Sequence, residues 1–195
     1  MSLLPTEVEL AIFYAAFIFW LVFTFGIERM IRGNDPRGRQ QTREDKGSLF
    51  VISLCTFSAV VVALALGGTN VTPLPEWTFF VGILLMFVGM FIRGWSIRTL
   101  KSFFLFSVGV VQDHKVIEAG PYRLVRHPAY AGAILTFVGI GLALQSLVAL
   151  AILLLLSSLA YWYRIRVEER ALIRDLGQPY VEYMGRTKRL IPLVL

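Results

Sequence analysis

The sequence has one cysteine, Cys55, and two histidines, His114 and His127. One cysteine excludes a disulfide scaffold. Three such residues cannot supply the four Cys and His ligands of a closed zinc site, so no metal is expected. Charge is also scarce: Asp, Glu, Lys and Arg make up 16% of the chain, against about 25% in ordinary soluble domains. Low charge together with 13% aromatic residues excludes disorder, which needs a chain too polar to bury a core. The glycine signatures of nucleotide-binding proteins are missing. Gly139-Ile140-Gly141 starts one but runs on into Leu142-Ala143-Leu144 inside an apolar stretch, and there is no Walker loop. No Gly-x-Ser-x-Gly elbow offers a serine nucleophile. The common motifs of soluble nucleotide-binding and serine-nucleophile enzymes are therefore missing.

What the chain does have is apolar length: 56% of its 195 residues are hydrophobic. A helix crossing about 30 Å of hydrocarbon needs about 20 apolar residues. Val8–Ile27, Leu49–Leu66 and Trp77–Ile92 fit that requirement, with Arg93 placed to snorkel from the end of the third. Ala129–Leu144 and Leu147–Tyr163 are shorter, and only Gln145-Ser146 separates them, so they read as a tight helical hairpin over 129–163. The expectation is an all-α integral membrane protein with about five transmembrane helices. Two portions are expected: a three-helix membrane part over 1–97, and a part over 98–195 that combines the hairpin with polar segments on either side.

Charge gives the orientation. All 19 basic residues lie between spans one and two, between spans three and four, or after span five. The opposite side carries only Glu7, Glu9 and Glu76. The positive-inside rule then puts the N-terminus outside and the C-terminus in the cytosol. The net charge of +6 needs no nucleic acid to explain it. The N-terminus has no basic n-region or small-residue cleavage site, so the first span is expected to be retained.

Chemistry concentrates in two places. The first is the segment from Gln112 to Tyr130, which holds both histidines, a Gly120-Pro121 turn, a His127-Pro128 turn, and Tyr122 and Tyr130. Pro128 suits the first turn of a helix, where a missing N–H costs nothing, and this fixes His127 at the mouth of the bundle. The plainer reading is a basic loop held on lipid phosphate by Arg123 and Arg126, with His127 as a helix cap. The second place is Arg164 and Glu168, four residues apart on one helical face. Alone, that pair reads as a surface salt bridge worth a few tenths of a kcal/mol. The hairpin, however, should bring Arg164, Glu168, His127 and Tyr130 to one opening, a setting suited to an amphiphilic substrate with a polar head.

At these residues the sequence resembles the isoprenylcysteine carboxyl methyltransferase family, within the wider group that includes phospholipid methyltransferases. The resemblance runs from about Gln112 to Pro192. It rests on Gly120-Pro121-Tyr122, Arg126-His127-Pro128-Ala129-Tyr130, Glu168-Glu169 with Leu172, Gly177-Gln178-Pro179-Tyr180, and Arg189-Leu190-Ile191-Pro192, in that order around the hairpin. It implies an integral-membrane enzyme that uses S-adenosylmethionine without a Rossmann domain. By position, the cofactor contacts would be Gln112, His114, Lys115, Val116, Ile117, Tyr122, His127, Pro128, Ala129, Tyr130 and Glu168. Arg164 would bind the substrate and act in catalysis. Ala129 stands where relatives often have serine. The implied acceptor is a prenylated cysteine carboxylate, or a similar lipid-linked group, entering from the bilayer while the cofactor arrives from the cytosol. The segment from Arg98 to Lys115 would close over the cofactor. The rival readings are a phospholipid N-methyltransferase, a small-thiol methyltransferase, a membrane reductase and a non-enzymatic lipid-binding scaffold.

Overall fold

A computed structural model of the protein describes residues 7–33, 47–67, 72–100 and 116–191. Among these residues it contains helices α1 (Glu7–Gly33), α2 (Ser48–Gly67), α3 (Trp77–Leu100), α4 (Pro128–Ala143), α5 (Leu147–Leu176) and α6 (Gln178–Arg186), with a 3-10 turn at Gly120–Arg123. The five long apolar runs are thus the first five helices. Glu7–Ile27, Trp77–Leu100 and Leu147–Leu176 are long and apolar enough to cross a membrane; Phe50–Leu66 and Pro128–Ala143 are shorter apolar helices. Phe25, Phe57, Phe80 and Phe91 each leave more than 60% of their surface exposed. Large aromatics in such numbers on an outer surface suit hydrocarbon rather than water.

Local chemistry sets the helix boundaries. Pro128 opens α4, and Ser146 caps α5 by accepting a hydrogen bond from the Ala149 N–H at 3.3 Å. Gly177, at φ 64°, ends α5 and begins α6, a left-handed conformation that glycine adopts without steric cost. The segment entering α3 meets the α4–α5 turn: the Leu74 N–H donates to the Gln145 carbonyl at 2.8 Å, and the Leu147 N–H to the Thr72 carbonyl at 3.0 Å. Glu76 therefore sits at one end of the bundle, while His127 and Arg164 sit at the other.

Helix α4 lies between α3 and α5; α1 packs on α3, and α2 on α5. The α3–α4 contact runs along a glycine seam. A Cβ on Gly139 would come within 2.6 Å of the Gly82 carbonyl oxygen, and one on Gly132 within 2.6 Å of the Gly89 carbonyl oxygen. In lipid, helices gain no hydrophobic advantage from touching, so close backbone approach at small residues supplies the attraction. Both pairs repeat at seven residues, two turns along one face, and this keeps the seam continuous. Gly139→Ala is expected to lower the thermal midpoint in detergent by an amount equivalent to about 1–3 kcal/mol. Gly26→Ala, where an added Cβ meets nothing within 4 Å, should leave it unchanged. Equal midpoints for the two variants would remove the seam's role.

Candidate active site

The site lies where the N-terminus of α4 meets the last three turns of α5. His127 occupies the N-cap position of α4, yet its side chain makes no cap hydrogen bond. Its ring turns inward, with Nε2 3.4 Å from Glu169 Oε1, and stacks on Tyr130 with centroids 5.6 Å apart and planes at 15°. Tyr130 in turn packs on Tyr161 at 5.1 Å. The capping role expected of His127 is thus replaced by a buried polar one.

Two polar networks meet here, each centred on one of two consecutive glutamates. In the first, the Tyr130 hydroxyl donates to Glu168 Oε2 at 2.7 Å and accepts from Arg164 Nε at 3.3 Å. Arg164 Nη1 donates to Ser48 Oγ at 2.6 Å. Arg164 is only 3% exposed. The Arg164–Glu168 surface salt bridge is thereby corrected: the guanidinium is buried, and a tyrosine hydroxyl joins it to the carboxylate. The reason is topological, because α2 and α4 both cover the face of α5 that carries Arg164.

The second network surrounds Glu169, which is 4% exposed. Its carboxylate receives Arg126 Nε at 3.1 Å and Arg189 Nη2 at 2.9 Å. Arg126 also donates through Nη1 to the Met184 carbonyl at 3.1 Å and to the Thr187 carbonyl. Arg126 therefore points into the protein rather than toward lipid phosphate, while Arg123 stays exposed. The Arg126 and His127 N–H groups donate to the Lys188 and Arg189 carbonyls at 2.7 and 2.9 Å, forming a short parallel bridge. A carboxylate shared by two guanidiniums and an imidazole satisfies its lone pairs without water.

The 3-10 turn completes one wall. Gly120 adopts φ 55°, and a Cβ there would fall 2.9 Å from Thr99 Oγ1. Pro121 and Tyr122 are buried by this turn. The Tyr183 hydroxyl, pushed up to about 12 chiefly by burial, donates to the Tyr122 carbonyl at 2.7 Å. Burial first, and then the Glu168 carboxylate, hold the Tyr122 phenol above its ordinary range, so it stays a neutral ring.

The structure brings Tyr122, His127, Pro128, Ala129, Tyr130, Arg164 and Glu168 into one region. Pro128 is fully buried, and the Ala129 carbonyl accepts from Arg93 Nη1 at 3.3 Å. Arg93 thus ties α3 to α4 rather than only snorkelling. Val116 and Ile117 are half-buried and lead into the 3-10 turn. Gln112, His114 and Lys115 lie outside the described residues, as does most of the segment expected to close over the cofactor. Sequence reading gave no role to Ser48, Tyr161 or Arg189 and missed the burial of Glu169, because their partners are separated along the chain by tens of residues and no spacing rule links them. Among the described residues no group of three or more His, Cys, Asp or Glu could hold a metal ion.

Chemically, the region sets a buried cation and a carboxylate on one tyrosine hydroxyl, with aromatic rings packed beside them. Carboxylate and aromatic faces attract a cationic ligand, and a guanidinium attracts a carboxylate or phosphate.

A family model described as phospholipid methyltransferase matches residues 77–178. The protein-S-isoprenylcysteine O-methyltransferase of Saccharomyces cerevisiae is 30% identical over 116 residues, covering 58% of this chain and 48% of the yeast protein. The cobalt-zinc-cadmium resistance protein CzcN of Cupriavidus metallidurans is 32% identical over 125 residues, covering 64% of this chain and 52% of that protein. This chain spans about half the length of both relatives. A solved structure of the eukaryotic intramembrane Ras methyltransferase ICMT superposes with a TM-score of 0.67 at 19% identity, covering 98% of this chain and 70% of that one. That likeness shows a shared fold.

Proposed function

The chain belongs to the phospholipid methyltransferase family, and from that premise we propose that it acts in the manner of its isoprenylcysteine methyltransferase relatives, methylating the carboxylate of a prenylated cysteine, or a similar lipid-linked acid, using S-adenosylmethionine at the membrane surface. The observation that carries this reading is the chain of contacts from the buried Arg164 through the Tyr130 hydroxyl to Glu168. It sets a cation for an anionic acceptor beside an anion for a cationic cofactor.

The residues suit that cofactor. Glu168 would hold its ammonium or ribose hydroxyls, and Tyr122, His127 and Tyr130 would supply aromatic faces to its adenine and sulfonium. Gln112, His114, Lys115, Val116, Ile117, Pro128 and Ala129 are assigned to the same pocket by family position. When bound, the cofactor supplies a methyl group already activated on a sulfonium. The acceptor carboxylate, ionised at neutral pH because its pKa is near 4, would accept that methyl group directly, with the S–CH3 electron pair left on sulfur. No proton moves, so no general base is required. Arg164 fixes the carboxylate, and alignment of the two groups supplies much of the rate. The distribution of basic residues supports a cytosolic side for this region.

The direct test uses purified protein in lipid with methyl-labelled S-adenosylmethionine, offering N-acetyl-farnesylcysteine and phosphatidylethanolamine in parallel. Base-labile label on the prenylcysteine is expected. Label on the phospholipid amine instead would replace the acid acceptor with an amine, and label on neither would remove the proposed function. Within the same assay, Glu168→Gln should weaken S-adenosylmethionine binding by about tenfold, the loss expected when a charged hydrogen-bond partner becomes neutral. Unchanged cofactor affinity in equilibrium dialysis would take Glu168 out of the cofactor site.

A further inference from the structure

We propose that Ser48 is a positioning residue for Arg164, so that the start of α2 forms part of the acceptor site; this inference rests on the function proposed above. Ser48 is the first residue of α2 and is completely buried. It follows Gly47, whose φ of 72° lets the chain turn sharply into the helix. Its Oγ lies 2.6 Å from Arg164 Nη1, a contact between residues 116 apart in sequence.

An arginine side chain has several freely rotating torsions, and burial alone does not choose among its rotamers. Two hydroxyls take part in that choice: the Tyr130 hydroxyl accepts from Nε, and the Ser48 hydroxyl accepts from Nη1. Contacts at two different nitrogens fix the plane of the guanidinium as well as its position. That plane decides whether a carboxylate is met by a two-pronged contact or by a single hydrogen bond. Tyr130 comes from α4 and Ser48 from α2, so the orientation of Arg164 depends on how two separate helices pack on α5. Ser48 also precedes the matched stretch 77–178, which gives the early helices a part in the site beyond crossing the membrane.

Ser48→Ala is expected to lower kcat/KM for N-acetyl-farnesylcysteine by about tenfold, the usual consequence of removing a hydrogen bond to a charged group. S-adenosylmethionine affinity, measured by dialysis, should stay within about twofold. Ser48→Thr keeps the hydroxyl and should recover most of the loss. The decisive comparison is a double-mutant cycle with Arg164→Lys. Once the guanidinium is gone, adding Ser48→Ala should cost less than about twofold, because there is no plane left to set. An equal penalty in both backgrounds, or a parallel loss of cofactor affinity, would make Ser48 only a tether between α2 and α5 and overturn the inference. An unchanged kcat/KM in Ser48→Ala, with wild-type protein active, would overturn it while leaving the proposed function standing. Wild-type protein that methylates neither prenylcysteine nor any other offered acid would overturn both.

Discussion

Arg164→Ala is expected to lose at least about 100-fold in kcat/KM for a prenylcysteine acid, about 2.7 kcal/mol of transition-state stabilisation. S-adenosylmethionine affinity should change by no more than about threefold. The division follows from the geometry. Arg164 touches Tyr130, and Tyr130 keeps its own 2.7 Å hydrogen bond to Glu168, so deleting the guanidinium leaves the carboxylate side of the site in place. Arg164→Lys should recover only part of the loss, because an ammonium keeps the charge but not the planar fork. Isotope-based turnover and equilibrium dialysis on the same preparations separate the two effects. Cofactor affinity that falls in step with turnover would mean that Arg164 and Glu168 form one structural unit rather than two ligand sites.

The largest effect on stability is expected at the neighbouring residue. Glu169→Ala removes the carboxylate shared by Arg126, Arg189 and His127 and leaves the Arg126 side chain, 8% exposed, with an uncompensated charge. Breaking a buried ion pair from one side costs about 3–5 kcal/mol, which corresponds to a fall of about 10 °C in thermal midpoint for a chain of this size. Glu169→Gln keeps the shape and should fall between the two. A midpoint within about 2 °C of wild type for Glu169→Ala would show that the network contributes little to stability, as exposed pairs commonly do. The exposed Arg186–Glu118 pair, 2.8 Å apart, is the internal control, and removing it should have little effect.

The contrast between these two glutamates shows how far the sequence could be read. Apolar runs gave the five long helices, because in lipid a backbone must satisfy its hydrogen bonds within the helix and composition alone then dictates the element. Pro128 marked the start of α4, and the Gln145-Ser146 break marked the hairpin turn. The meeting of Tyr130, Arg164 and Glu168 was legible because one tight turn fixes which helix ends are neighbours. Glu169 was not legible. It sits one residue from Glu168, but the 100° step of a helix points it at a different set of partners, and Arg126 and Arg189 reach it from opposite ends of the hairpin. The glycine seam was missed for a similar reason: glycines are common in membrane helices, and only the α3–α4 packing shows which of them touch. The inward turn of Arg126 and the burial of Arg164 depend on which faces α6 and α2 cover, and no local pattern carries that information.

The bridge between the His127 segment and the residues after α6 has a consequence for how the protein is made. Arg126 is held by Thr187, 61 residues further along the chain, and by backbone bonds to Lys188. During synthesis the long helices leave the ribosome before that segment does. Until it does, Glu169 lacks Arg189 and the start of α4 lacks its backbone partner. Completion of this region therefore waits on the residues that follow α6. A chain halted after α5 would hold its long apolar helices but lack the backbone partners of Arg126 and His127 that complete this region.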